Sequence, residues 1–576
     1  MSKIVRVGIK NFRGISELEF ELDSNRNLVC IIGRGDSGKS TVLEAISLAL
    51  APKWNVAVHD TDYNNCNPNN IIEIEVSLID FPKSFLHHDK YGLALRAYDH
   101  TVNGVVEVQD ADNENSEPAI TIKLTINSDN EPSWNVVNVN GDKTIGWKDR
   151  AEINCFLLSD YIDNQFTWSQ GLPLIKAKNL HSNKDPVDTG AILDALRNAR
   201  KTLEELGFPE LQETTQQVIQ KSKEIGLNVN GLNTSLDLKE LVRRDDRLTL
   251  HDNLIPLRLK GKGSKRMLSI AIQSLLVHEG GILLVDEIEQ GLEPDRVKFL
   301  SSYLNNSENG QVFITSHSRD VIQEIGSSPL LLLSKDITGK IVKKPLANDD
   351  EELLKLVRAC PEAFYSRKII LCEGRTEMGI CRTIENSILE NEGSPLSFFD
   401  CSVVDAEGSN QVQRLENLKE LFEICWFCDS DVEKDNQAKE SFSDFGIKVI
   451  DCEDGLNIEQ QIIKDMPWAG VKEILNRARS KNIDIFINVF PEYRQISTED
   501  IEETDDERIK IITSIKSEVR TGKKKGNGGP ATRFDFFKDI YGGEFFGALV
   551  FKYWDEINEE SQTKTNFKNL IEWIKK

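Results

Sequence analysis

The string GRGDSGKS at residues 33–40 constrains this chain more than any other. It fits the pattern GxxxxGK[ST], follows the apolar run LVCII and opens the apolar-periodic stretch TVLEAISLAL. Strand, glycine loop and helix therefore come in the order that cradling a phosphate requires. Gly33, Gly35 and Gly38, with Ser37 among them, let backbone N–H groups turn inward on phosphates. Lys39 supplies a point charge to the β- and γ-phosphates, and the Ser40 hydroxyl, next to Thr41, ligates Mg2+. The expectation is an ATP site in an α/β domain.

Far downstream, GILLVDE at 281–287 reads as a buried strand ending in two acids. Asp286 is placed to hold Mg2+ and Glu287 to polarise an attacking water. QVFITSHS sets His317 at the end of the next strand, where an imidazole meets a γ-phosphate. Between this half and the glycine loop, apolar segments over 71–160, IIEIEVSLIDF, AITIKLTI and INCFLLS among them, read as antiparallel strands. Residues 188–228 switch to helical periodicity, broken at Pro209, and read as an arm.

In this order the motifs resemble the ABC-type ATPases of the RecF and SMC kind: NFRG at Asn11–Gly14, the glycine loop, a long insertion, a signature segment GKGSKRML at 261–268, the acid-ended strand and the histidine. The resemblance implies that Gly263 and Ser264 cap the γ-phosphate of a second subunit, and hence a homodimer or higher homo-oligomer through the ATPase domains. The chain departs from the family pattern in its short GxGS signature followed by Lys265 and Arg266, in Gly35 where relatives often carry Asn, and in GLEP at 291–294.

A second group of acids follows. YSRKIILCEGRTE is a strand that ends at Glu373, with Glu377 four residues on; a later strand ends FCDSD, with Asp429 and Asp431 on one face. Carboxylates gathered at one sheet edge need compensating cations, so a site of hard oxygen ligands for Mg2+ or Mn2+ is expected. EGxxE followed by DxD resembles the Toprim domain of topoisomerases, primases and certain nucleases. That resemblance implies Glu373 as general acid/base and metal ligand, Glu377, Asp429 and Asp431 as metal ligands, and Glu459 as a further metal-site acid. ABC-type ATPase and Toprim together resemble the OLD (overcoming lysogenisation defect) nucleases, a family that includes Gabija and retron effectors. The family's additional lysine is assigned to Lys538, with the lysines at 523–525 as the alternative.

The fold class expected is α/β: an ABC-type (RecF/SMC-like) ATPase domain with an antiparallel β subdomain and a helical insertion, then a Toprim α/β domain and a helical C-terminal extension. The boundaries are 1–165, 166–245 (a dimerisation arm), 246–350, 365–470 and 471–576. Lys+Arg 70 against Asp+Glu 94 gives a net charge of −24, which argues against coating nucleic acid by bulk electrostatics. DNA would be met at local cations, the 520–525 loop and the Arg/Lys of 258–266. The ten cysteines are scattered and read as free thiols in a reducing cytoplasm, with Cys425 and Cys428 as buried strand residues. No apolar run approaches the roughly 18 residues of a membrane span, so no membrane partner is expected. The function implied is an ATP-regulated, metal-dependent DNA endonuclease in anti-phage defence, with a helicase or a retron reverse transcriptase and its msDNA as potential partners. RNA cleavage and a non-nucleolytic ATP-gated sensor or scaffold are the rival readings.

Overall fold

A period-two alternation of apolar residues runs through the first strands, and the structure, a computed structural model, pairs them accordingly. It describes residues 2–107, 115–158, 163–168, 172–181, 208–229, 231–236, 248–277, 280–306, 310–336, 338–344, 361–405, 419, 421–430, 439, 442, 446–520 and 537–576. Lys3–Phe12 (β1) runs antiparallel to Ile15–Glu21 (β2), with Val7 opposite Phe20 and Ile9 opposite Leu18, so the apolar side chains share one face. Leu28–Ile32 (β3) leaves for a second sheet, while Ile72–Ile79 (β4) and Ser116–Ile126 (β5) extend the first. Four shorter strands complete this antiparallel sheet at eight strands.

The second sheet has the order Cys155–Leu158 (β6), Ile282–Val285 (β7), Gln311–Thr315 (β8), β3, Leu330–Lys335 (β9) and Ile341–Lys344 (β10). Its first five strands are parallel and β10 is antiparallel to β9. β3, β7 and β8 are buried at every position, the pattern of a parallel sheet covered on both faces. INCFLLS, expected among the antiparallel strands, instead lies parallel to β7 with Cys155 opposite Ile282. It is an edge strand there, with Phe156 and Leu158 buried and Cys155 and Leu157 only partly so. Helix Lys39–Ala49 (α1) buries Val42, Leu43 and Ile46 in one core with Ile9, Ile74 and Ile122 of the first sheet and Leu284 and Phe313 of the second. Helix Pro209–Glu224 packs on helix Lys262–Val277 (α2), and Pro209 opens it at the first turn, where a missing N–H costs nothing. The rest of the proposed arm, 188–207, lies outside the described residues.

The chain divides into two compact units, Met1–Asp350 and Glu351–Lys576. In the second, Lys368–Cys372 (β11), Cys401–Asp405 (β12), Glu423–Cys428 (β13) and Lys448–Asp451 (β14) form a parallel sheet in the order β12-β11-β13-β14. Cys425 and Cys428 are fully buried in β13, and burial pushes both thiols far up. Helix Arg375–Glu392 (α3) follows β11, and Ile458–Asp465 (α4) follows β14. Helix Ile540–Lys552 (α5), from the C-terminal stretch, meets α3 backbone to backbone. A Cβ on Gly543 would lie 2.0 Å from the Thr376 carbonyl oxygen, and one on Gly379 would lie 2.1 Å from that of Ile540. Phe537, Phe546, Leu549 and Phe567 share one core with Ile370, Cys372 and Ile380, so this stretch is integral to the unit and not an appendage.

Gly543→Ala is expected to destabilise the second unit by about 3 kcal/mol, because neither backbone can yield to the added methyl. Exposed Tyr541, at 71%, is the control on the same helix: Tyr541→Ala should stay within about 0.5 kcal/mol of wild type. Calorimetric melting measures both, and equal melting of the two variants would contradict the close packing.

Candidate functional sites

The glycine loop joins β3 to α1 through three backbone positions with positive φ, Gly33, Asp36 and Gly38. Gly33 has φ 144°, and a Cβ there would stand 2.2 Å from the Leu333 carbonyl oxygen of β9. Gly38, at φ 88°, turns the chain into α1, whose first N–H groups have no side-chain cap and are thus open to an anion. Gly35 has open space around it, and Arg34, Gly35 and Asp36 are exposed while Ser37 is buried. Lys39 Nζ donates to the carbonyls of Gly33 at 3.0 Å and Arg34 at 2.7 Å. Burial lowers its pKa to about 8, against the pull of Asp286 and Glu287. Thr41, on the first turn of α1, is half-buried.

Asp286 and Glu287, at the end of β7, are brought to this loop. Ser40 Oγ donates to Asp286 Oδ1 at 2.8 Å, as does Thr315 Oγ1 at 2.6 Å, and the Glu287 N–H donates to Thr315 Oγ1 at 2.7 Å. Glu287 adopts φ 47°, an uncommon conformation for a residue with a side chain. His317 follows β8; its backbone N–H donates to Glu289 Oε1 at 2.5 Å, and Ser316 Oγ to Glu289 Oε2 at 2.9 Å. Burial, then the charge of Lys39, lowers the imidazole pKa below its ordinary value. Ser40 and Asp286 are an oxygen pair suited to Mg2+.

The signature segment forms the start of α2. A Cβ on Gly263 would lie 2.3 Å from the Gly291 carbonyl oxygen, so within this chain that glycine lets α2 touch the loop after Glu287. Ser264 is half-buried beside it. Arg266, only 1% exposed, donates to the carbonyl oxygens of Asp286 and Glu287 and to Gln290 Oε1. It thereby ties the signature helix to the acid-bearing turn. In the sequence Arg266 stands as a departure from pattern and among the 258–266 cations expected to meet DNA, whereas in the structure it is buried against the acid turn and is not presented to a ligand outside. Thr315 and Glu289 were not anticipated, and an arginine two positions after a motif serine carries no periodic signal of burial.

In the second unit, Glu373 sits at the end of β11 and Asp429 at the end of neighbouring β13. The Asp429 N–H donates to Glu373 Oε2 at 2.9 Å, and the Ile458 N–H, at the start of α4, donates to Asp429 Oδ1 at 2.7 Å. Glu377 and Glu459, on the first turns of α3 and α4, are each 3% exposed. Burial, then the charges of Glu459 and Glu373, raises the Glu377 pKa to about 8. Thr376 Oγ1 lies 3.1 Å from Glu459 Oε1 and 3.1 Å from the Phe537 carbonyl oxygen. Lys538, the next residue, is exposed.

This donor set, carboxylate oxygens whose mutual repulsion burial intensifies, fits a hard divalent cation. Among the described residues, however, no three carboxylate, imidazole or thiol groups already stand in a ligating arrangement. Asp431 and the lysines at 523–525 lie outside the described residues. Lys439, 7% exposed, was not anticipated: its Nζ donates to the Asp429 carbonyl at 2.6 Å and Ser430 Oγ at 2.7 Å, and stands 3.2 Å from Asp451 Oδ2. No spacing rule marks a lysine ten residues beyond an aspartate.

Comparison with known proteins matches the two segments of chain that carry these residues. Residues 2–322 match the AAA ATPase domain family, and residues 364–432 match the TOPRIM domain of overcoming lysogenization defect protein-like sequences. The Old nuclease of Escherichia phage P2 is 26% identical over 197 residues, 30% of this chain; the match spans 32% of that relative, about a third of its length. Among solved structures, the SMC head domain from Thermotoga maritima is similar at 15% identity over 60% of this chain and 99% of that one, with a TM-score of 0.30. The Smc head domain with an extended coiled coil bound to the C-terminal domain of ScpA, from Pyrococcus furiosus, is similar at 12% identity over 60% of this chain and 96% of that one, with a TM-score of 0.36. With more than half of its length matched by one family and its P-loop lysine beside Asp286, the chain belongs to the AAA ATPase domain family, and C-terminal to that ATPase it carries a segment with Glu373 and Asp429 that is similar to the TOPRIM domain of overcoming lysogenization defect protein-like sequences.

Proposed function

We propose that the chain is an ATP-regulated, divalent-metal-dependent endonuclease that hydrolyses DNA phosphodiester bonds, acting in defence against phage. The observation that carries this reading is the gathering of Glu373, Glu377, Asp429 and Glu459 where β11 and β13 end and α3 and α4 begin. Similarity to a phage nuclease supports it. Glu373, Glu377, Asp429 and Glu459, with Asp431, would hold Mg2+ or Mn2+. Such ions, when bound, activate water and stabilise the leaving oxyanion. Glu373, half-buried and oriented by the Asp429 N–H, is the residue to take or return a proton at its carboxylate. Exposed Lys538 would meet the substrate phosphate.

In the first unit, Lys39 and the N–H groups of α1 would bind the ATP phosphates, Ser40 and Asp286 would hold Mg2+, Glu287 would orient water, and His317 would contact the γ-phosphate. Gly263 and Ser264 of a second copy would complete this pocket in a homodimer. ATP then gates access and is not the source of cleavage energy, because phosphodiester hydrolysis is already downhill.

Asp429→Ala is expected to lower metal-dependent plasmid nicking at least about 100-fold while leaving ATP affinity unchanged. Lys39→Ala should weaken ATP about 10- to 100-fold, the loss of a charge-assisted bond, while Mn2+ binding by the second unit persists. Normal nicking by Asp429→Ala would overturn the nuclease reading. RNA supplied beside DNA in the same assay separates the ribonuclease alternative.

The raised Glu377 carboxyl also predicts a pH dependence. In the metal-free fold it keeps its proton up to about pH 8, whereas an unfolded glutamate releases it near about pH 4.3. The native state therefore binds more protons between those values, and its stability falls as pH rises through them. In EDTA, wild type should lose melting temperature from pH 5 to pH 8.5 more steeply than Glu377→Gln; equal slopes would contradict the burial of this charge.

A further inference from the structure

We infer that Lys439 is a positioning residue for the nuclease centre, an internal cation that fixes where Asp429 presents its carboxylate. This rests on the metal-dependent nuclease reading above and adds to it a residue outside the acid motifs.

Asp429 is held at three of its own atoms. Its N–H donates to Glu373 Oε2 at 2.9 Å, its Oδ1 accepts from the Ile458 N–H at 2.7 Å, and its carbonyl oxygen accepts from Lys439 Nζ at 2.6 Å. The first two contacts join it to groups of the acid cluster and the helix behind it. The third is the one of the three made by a cationic side chain, and it grips the backbone on which the aspartate turns.

An ammonium has three N–H donors. Those of Lys439 face three oxygens, the Asp429 carbonyl, Ser430 Oγ at 2.7 Å and Asp451 Oδ2 at 3.2 Å. Ser430 Oγ in turn donates to the Cys452 carbonyl at 2.7 Å, which leaves its lone pairs for the lysine. The ammonium thus bridges the residues that follow β13 to the end of its neighbour β14. Buried and fully engaged, it is not placed to contact substrate. Its charge offsets Asp451 and leaves Glu373, Glu377, Asp429 and Glu459 as the acids that need a divalent ion. A guanidinium cannot replace it, because a planar fork does not direct donors to three oxygens around one point.

The test compares full-length wild type, Lys439→Met and Asp451→Asn for Mn2+ binding by electron paramagnetic resonance, for the Mn2+ concentration that half-saturates plasmid nicking, and for ATP hydrolysis. Lys439→Met is expected to weaken Mn2+ binding at the second unit and to shift the half-saturating concentration upward, both by about 10-fold, with ATP hydrolysis unchanged. Asp451→Asn, which removes the ion pair but keeps the grip on Asp429, should stay within about 2-fold of wild type. A merely structural ion pair would make the two variants alike, and that outcome, or Lys439→Met binding Mn2+ as wild type does, overturns the inference. Should Lys439→Met not fold, Lys439→Gln is read in its place with the same expectations. Wild type that neither binds Mn2+ nor nicks DNA would sink the nuclease reading itself; wild type that does both, beside an unaltered Lys439 variant, sinks only the role of Lys439.

Discussion

Like charge held inside protein is the constraint on which the second unit turns. Glu377 and Glu459 are almost wholly removed from water, and the charges of Glu459 and Glu373 lie close enough to add to the cost of ionising Glu377. An interior of low polarisability makes such repulsion far stronger than at a surface. The fold sets up this arrangement with two parallel strands that end side by side and two helices that start there, and it closes α3 against α5 so tightly that only glycine fits at the contact. Relief by protonation or by a divalent cation are the two available responses, and the first makes the second pH-dependent.

The first unit solves a related problem with hydrogen bonds. Asp286 accepts from Ser40 and Thr315, Glu287 is fixed through its backbone, and Arg266 ties down the carbonyl oxygens of both residues. The acid turn is therefore oriented by groups from α1, β8 and α2 together. One buried guanidinium thus connects α2 to the turn that carries Asp286 and Glu287, a link that sequence pattern does not display.

What was legible in the sequence is what is local or periodic. The glycine loop, its strand and its helix occupy 28–49 without interruption, and the acids of both sites stand at the ends of apolar runs, so strand-end reading found Asp286, Glu373 and Asp429. Contacts whose partners are remote in sequence left no such trace. β6 looked like its antiparallel neighbours because a four-residue apolar strand does not announce its partner, here 127 positions away. Gly543 and Gly379 gave no sign that they meet across 164 positions. Lys439, Arg266 and Thr376 act through the backbone of other residues, and a residue type that serves this way in the interior is usually a surface residue elsewhere.

Divalent-cation binding by the carboxylates at the β11–β13 edge can be seen by anomalous diffraction from crystals of the full chain soaked in Mn2+. An anomalous peak is expected within bonding distance, about 2.0–2.4 Å, of oxygens from Asp429 and at least one of Glu373, Glu377 and Glu459. A well-diffracting soak with Mn2+ at Ser40 and Asp286 but none among these carboxylates would contradict it.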